Sequence, residues 1–263
     1  MRGRAVQRTP LRTSPWQRRL LSFGAQSLYR WNISEVIPLA QRQSATIDPV
    51  TEYHLGELEI ALDPSRPEHI LPDVQTARVG IVDVGCGMGQ LFVAKASEIP
   101  VGVGRYGFDI DKASIAYAIE HWPEKARFAV APAEKLPLPD ASVDLYVSRV
   151  TLPYTDIPAA LAEAARVLAP GGRLWITLHP LSMTWHELAQ AARGARLKEV
   201  VRRMVVLWNG LAFHLFGTSQ SVFGIRDGWQ SSSRMTRALT QHFTDIRIGR
   251  GRHFLIEATR RSP

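Results

Sequence analysis

From residue 79 onward, short apolar runs alternate with stretches of helical periodicity. Val79-Gly80-Ile81-Val82-Asp83-Val84 is rich in β-branched residues, which predicts a buried strand. A glycine-containing loop follows, then a helical pattern over 91–97. The alternation continues with a strand over 101–109, a helix over 112–121, a strand over 127–131 and a Pro-rich loop over 136–140. A strand over 143–148, a helix over 157–168 and a strand over 173–178 complete the series. Strands alternating with helices predict right-handed crossovers and a mostly parallel sheet covered on both faces. Residues 181–230 break the rhythm, being helical in parts and rich in aromatics. It resumes with a helix over 232–243 and strands over 244–250 and 253–258, joined tightly through Gly251 and therefore antiparallel. Upstream, 51–61 predicts a helix, broken by Asp63-Pro64, Pro67 and Pro72. The expected fold is α/β: a doubly wound, mostly parallel seven-stranded sheet with a terminal antiparallel strand and a helical insertion after the fifth strand.

Composition changes this picture only at the N-terminus. The chain has 263 residues, 45% apolar and 21% charged, which is ordinary for a globular protein with a substantial core. Its net charge of +8 is uneven. Residues 1–30 hold seven arginines and no acid; the remainder carries 25 basic against 24 acidic residues. This segment is expected to be a basic, disordered tail, with a basic arm for an anionic surface or an organelle-targeting segment as open alternatives. Residues 31–263 are expected to form one domain: a core over about 79–180, an insertion or cap over about 181–230, and a final helix and hairpin over about 231–260. The one cysteine, Cys86, excludes an internal disulfide and points to a reducing, cytoplasmic setting. No apolar run reaches the roughly 18 residues of a membrane-spanning helix.

The chemistry concentrates in Asp83-Val84-Gly85-Cys86-Gly87-Met88-Gly89, between a strand and a helix. That is where an open α/β sheet binds ligands. Glycines there permit left-handed backbone angles and close approach of a ligand to the main chain. The spacing is G-x-G-x-G with an acid two residues before the first glycine, unlike the dinucleotide-binding G-x-G-x-x-G. No Lys-Ser/Thr pair follows, so a nucleoside-triphosphate loop is excluded. Asp109 ends the second strand, twenty residues after Gly89, where a carboxylate accepts from both hydroxyls of a ribose. Asp111 is better placed to cap the helix beginning at Lys112.

With these motifs the chain resembles the class I, Rossmann-like methyltransferases, particularly the broad group called methyltransferase type 11. Further motifs carry the resemblance: Gly107-Phe108-Asp109-Ile110, A-E-x-L-P-x-P-D from Ala133 to Asp140 with Val143-Asp144, and E-x-x-R-V-L-x-P-G-G from Glu163 to Gly172. The resemblance implies an enzyme that uses S-adenosyl-L-methionine and no metal. It implies that Gly85, Gly87 and Gly89 pack against the methionine part and that Asp83 positions its amino group. Asp109 would hold the ribose, Ile110 would cover one adenine face, and Ala133 and Glu134 would lie near the adenine edge. Ser148 and Arg149 would border the methyl group. Pro132 departs from the pattern, since the family usually has an aspartate there to receive the adenine amino group. Glu163, Arg166 and the Pro170-Gly171-Gly172 turn read as structural.

Methyl transfer from a sulfonium demands alignment, exclusion of water and sometimes removal of a proton. Candidate bases are His179 and Tyr154, with His186 and His214 behind them; Tyr53 and His54 are placed to cover the cofactor. The acceptor site is expected from 31–75 and 181–230. The insertion's Trp185, Trp208, Phe213, Phe216, Phe223 and Trp229 suit an apolar or aromatic pocket, or else simply pack the insertion onto the core. Basic residues over 198–203 followed by apolar ones over 204–216 leave open a lipid-facing helix. The expected partner is a small-molecule methyl acceptor, apolar, aromatic or lipid-like. Peripheral membrane contact through the tail or insertion stays open, and neither nucleic acid nor an obligate protein partner is expected. Three alternatives remain: a quinone-type C-methyltransferase, a cofactor-binding module without transfer, and a nicotinamide-dependent oxidoreductase.

Overall fold

The computed structural model describes residues 49–218, 221–249 and 254–262. The expected tail over 1–30 and the expected turn at Gly251 lie outside these residues.

Seven strands form one sheet in the order β3-β2-β1-β4-β5-β7-β6. They are β1 (Gly80–Val84), β2 (Gly104–Asp109), β3 (Arg127–Val130), β4 (Val143–Arg149), β5 (Leu168–Leu178), β6 (Phe243–Gly249) and β7 (Phe254–Arg260). β1 to β5 pair in parallel, and β7 runs antiparallel to both β5 and β6. The helices are α1 (Pro49–Leu62), α2 (Gln90–Ala94), α3 (Lys112–His121), α4 (Ile157–Val167), α5 (Leu181–Arg193), α6 (Leu197–Phe216) and α7 (Ser232–Leu239).

Neighbouring strand residues point into different halves of the core. Val82, Tyr146 and Ile176 pack with Ala160, Leu161 and Ala164 of α4 and with Met235 and Leu239 of α7. Ile81, Leu145 and Trp175 pack on the opposite face with Leu91 and Phe92 of α2 and Ile115 of α3. Burial on both faces explains why these strands read as near-continuous apolar runs. The winding direction reverses between β1 and β4, which opens a crevice at their carboxyl ends.

Several boundaries moved for local reasons. Val101, expected in a strand, is fully exposed in a turn set by Pro100 and by Gly102 at φ 86°, so β2 begins only at Gly104. The Pro170-Gly171-Gly172 turn is absorbed into β5, whose ladder with β4 skips there between the pairs Val143–Leu168 and Leu145–Arg173. The last helix stops at Leu239, and Phe243 starts β6. Glu163 and Arg166 act as a structural clamp. Arg166 pairs with Glu163 at 2.7 Å and Asp140 at 2.6 Å and donates to the carbonyls of Leu136 and Leu138, tying the Pro-rich loop to α4.

The insertion is a helical hairpin. Trp229 donates from its indole to the Leu207 carbonyl at 3.2 Å, and Asn209 donates to the carbonyls of Ile225 at 2.9 Å and Asp227 at 3.0 Å. These bonds fasten the segment after α6 back onto that helix. A Cβ at Gly210 would overlap the Trp229 ring, so the glycine permits the close approach. Among the described residues no helix is long and apolar enough to cross a membrane.

Candidate active site

The crevice holds a cleft of about 540 Å³. Its floor is the carboxyl ends of the strands, one wall is α1, and the other wall is the helical insertion.

The glycine loop shapes the floor. Gly85, Gly87 and Gly89 have φ of 77°, 50° and 85°, a region that side-chain-bearing residues rarely adopt. Space is as limiting as conformation. A Cβ at Gly85 would overlap the Thr151 side chain, and one at Gly87 would lie 2.5 Å from Nδ1 of His54. Amides of Gly85 and Cys86 both donate to the Phe108 carbonyl, at 2.7 and 3.1 Å, which ties the loop to β2. Asp109 completes the tie. Its Oδ2 accepts from the Gly87 amide at 2.8 Å and its Oδ1 from the Asp111 amide at 2.9 Å, so each oxygen keeps a further lone pair for the cleft. Asp111 caps α3 by accepting from the Ser114 amide at 2.9 Å.

Asp83 is the unusual group. It is 5% exposed, faces the cleft and makes no hydrogen bond with the described residues. Burial pushes its carboxyl up to about 7; Arg149 opposes this rise and Asp109 adds to it. A buried acid without a donor is costly, and a cationic group in the cleft relieves that cost. Arg149, ending β4, forms an ion pair with Glu57 of α1 at 3.0 Å. Buried Ser148 beside it has a hydroxyl without a hydrogen-bond partner among the described residues.

Opposite Asp83 stands a second polar group. His179, just past β5, has Nδ1 3.6 Å from Oδ1 of Asp227, and both residues are buried. The bonds from Asn209 set the main chain of Asp227, and the Gln230 amide donates to the His179 carbonyl at 3.1 Å. The Tyr154 ring meets His179 edge-on with centroids 5.8 Å apart. Its hydroxyl is held well above the usual tyrosine range by burial and by Asp227 and Tyr53, with Arg202 and Arg203 opposing. Tyr154 therefore stays protonated at neutral pH.

The structure brings Asp83, Gly85, Asp109, Ile110, Arg149, Tyr154 and His179 to the cleft. Tyr53 and His54 line it too, and Gln90 Nε2 lies 3.2 Å from His54 Nδ1 above the glycine loop. Gly87 and Gly89 do not line the cleft; they pack against His54 and the Phe128 ring respectively. Ala133, Glu134 and Ser148 are not on the cleft surface. Glu134 instead accepts from the Asp156 amide at 2.7 Å, at the start of α4. His186 lies against Gln190, and His214 against Ser231 at 2.7 Å, both away from the cleft. None of the insertion's six aromatics lines it; Trp185, Trp208, Phe216 and Phe223 are exposed. The cleft wall formed by the insertion is mostly polar instead, with Glu187 paired to Arg203 at 3.0 Å, and Arg202 beside them. Asp227, Gln90 and Glu57 were missed in the sequence, since no motif marks them. Among the described residues no group of three or more His, Cys, Asp or Glu is placed to hold a metal ion.

Residues 82–176, which carry the glycine loop, Asp109 and the β4 end, match the methyltransferase domain family. Residues 82–176 of the chain carry a methyltransferase domain. The site fits S-adenosylmethionine as cofactor: a buried acid that could meet its ammonium, a glycine cradle, and the Asp109 carboxylate, which could accept from a ribose. The chain is 41% identical over 116 residues to a malonyl-[acyl-carrier protein] O-methyltransferase of Hahella chejuensis, covering 43% of this chain and 41% of the relative. It is 33% identical over 159 residues to a ubiquinone/menaquinone biosynthesis C-methyltransferase of Acidiphilium cryptum, covering 54% and 58%. The chain thus spans about half the length of the curated relatives it matches. A phosphoethanolamine N-methyltransferase 2 of Haemonchus contortus, solved with S-adenosyl-L-methionine, shares the fold at TM-score 0.51 and 15% identity, over 70% of this chain and 49% of that one.

Proposed function

We propose that the protein transfers the methyl group of S-adenosylmethionine to a protic oxygen or nitrogen of a small acceptor, with His179 taking the proton. The observation that carries this reading is the pairing of His179 with Asp227 across the same cleft from Asp83 and Asp109. When bound, the cofactor supplies a methyl group on a cationic sulfur, an activated leaving group.

The chain's own residues do the rest. Asp83 and the glycine loop would hold the amino-acid end, Asp109 the ribose, and exposed Ile110 one adenine face. The buried carboxylate of Asp227, 3.6 Å from Nδ1 of His179, orients the ring so that its other nitrogen can take the proton that the acceptor atom gives up. Tyr154, protonated and edge-on to that ring, offers a donor to the acceptor. Tyr53 and His54 close the cofactor side from α1, which limits water. A polar acceptor wall built from Glu187, Arg202 and Arg203 favours an acceptor with a charged or hydrogen-bonding group over a purely apolar one. The O-methyltransferase named among the relatives is in keeping with an oxygen nucleophile.

The test is incubation with methyl-labelled S-adenosylmethionine and a panel of small acids, phenols and amines, the product being located by mass spectrometry. Label on oxygen or nitrogen, lost in His179→Ala with cofactor affinity retained, is the expected result. Label on carbon, or equal turnover by His179→Ala, contradicts the assignment.

A further inference from the structure

We propose that the outward face of α6 docks on an anionic lipid bilayer. Leu197, Val201, Met204, Trp208, Leu211 and Leu215 follow one another at alternating steps of four and three residues, and they are between 42% and 75% exposed. At about 100° per residue, all six fall within a stripe roughly 80° wide. Phe216 at the end of the helix and Trp185 on α5 are exposed as well. A contiguous apolar stripe of this length on a surface helix needs an occupant.

The charges around the stripe identify it. Arg193 and Arg196 precede the helix, and Lys198 lies in its first turn; all three are exposed, and none makes an ion pair with the described residues. The acid of this helix, Glu199, is partly buried. A second copy would bring an acid-free, basic surface against itself. Anionic head groups supply the opposite charge, while the acyl boundary receives Leu, Met and Trp side chains and lets the basic chains snorkel outward.

The helix is two-sided. Arg203 and Val206 line the cleft from the side opposite the stripe, so docking would leave the acceptor wall about one helix diameter, roughly 10 Å, from the bilayer. Use of that position to take an acceptor from the bilayer rests on the methyltransferase reading; docking itself does not.

The experiment is co-sedimentation of the full-length chain with phosphatidylcholine vesicles, with and without phosphatidylglycerol. Binding to the anionic vesicles, weakened by salt, is expected. The double variant Met204→Glu/Trp208→Glu should lower partitioning at least about tenfold, with the melting temperature and S-adenosylmethionine affinity unchanged. Lys198→Glu, which removes no apolar contact, should weaken binding to anionic vesicles alone. The proposal is overturned if the wild type stays in the supernatant, or if the double variant sediments as well as wild type, placing binding elsewhere, such as in the basic residues of 1–30. It is equally overturned if the wild type is a dimer that the double variant converts to monomer. Vesicle binding without cofactor binding would support docking while refuting the cofactor reading.

Discussion

Replacing Asp83 by asparagine should make the free protein more stable and its hold on the cofactor weaker. The carboxyl titrates at about 7 in the folded protein, against 3.8 for an ordinary aspartate. The folded value is raised, so its contribution to stability is full below 3.8 and is lost as pH rises through about 7. A shift of about three units corresponds to at most ~4 kcal/mol above that range. Water entering the open cleft reduces this, so a gain of about 2 kcal/mol at pH 8 is expected for Asp83→Asn, or ~4–8 °C in melting temperature for this size. The gain should vanish toward pH 4. Cofactor binding should move the other way. At pH 8 the wild-type carboxylate meets the ammonium, and the amide should weaken binding roughly 10- to 100-fold. Wild-type affinity should also fall as pH drops below about 7, because an Asp83 proton must leave, while the variant stays flat. Calorimetric melting and titration from pH 5 to 9 would read both. A variant that is less stable at pH 8, or that keeps the wild-type pH dependence, refutes the reasoning.

Other perturbations separate the parts of the site. Gly87→Ala, at φ 50° and with a Cβ 2.5 Å from His54, should reduce S-adenosylmethionine affinity at least about tenfold while circular dichroism stays native. Asp109→Ala should weaken the cofactor roughly 10- to 100-fold and loosen the loop through its lost bond from the Gly87 amide; Asp111→Ala should cost about 1 kcal/mol of stability with affinity little changed. Asn209→Ala removes two bonds that set Asp227, so turnover should fall and stability drop by about 1–3 kcal/mol, while titration shows cofactor affinity unaltered.

Much of this was readable because the constraints are local. A β-branched run ending in Asp83 and three glycines can be little other than a buried strand feeding a ligand loop, and Asp109 follows at the next strand end. Asp111 as a cap was equally local. The insertion's side of the cleft was not readable in this way. Asp227 reaches His179 from a segment whose main chain is held by Asn209, eighteen residues earlier, at the Asp227 carbonyl. The aromatics of 181–230 suggested a pocket lining, yet periodicity alone does not say which face of a helix turns inward. On α6 the Trp208 face turns outward and the Arg203 and Val206 side lines the cleft. Glu134 shows the reverse difficulty: a motif residue that the start of α4 uses as a hydrogen-bond acceptor.

The most direct measurement is isothermal titration of the wild-type chain at pH 8 with S-adenosylmethionine and, separately, with a nicotinamide dinucleotide. A cleft with an unpaired Asp83, a glycine cradle and Asp109 should bind S-adenosylmethionine with micromolar affinity and one site per chain, and the dinucleotide not at all. No heat with S-adenosylmethionine at millimolar concentration, or tighter binding of the dinucleotide, would contradict it.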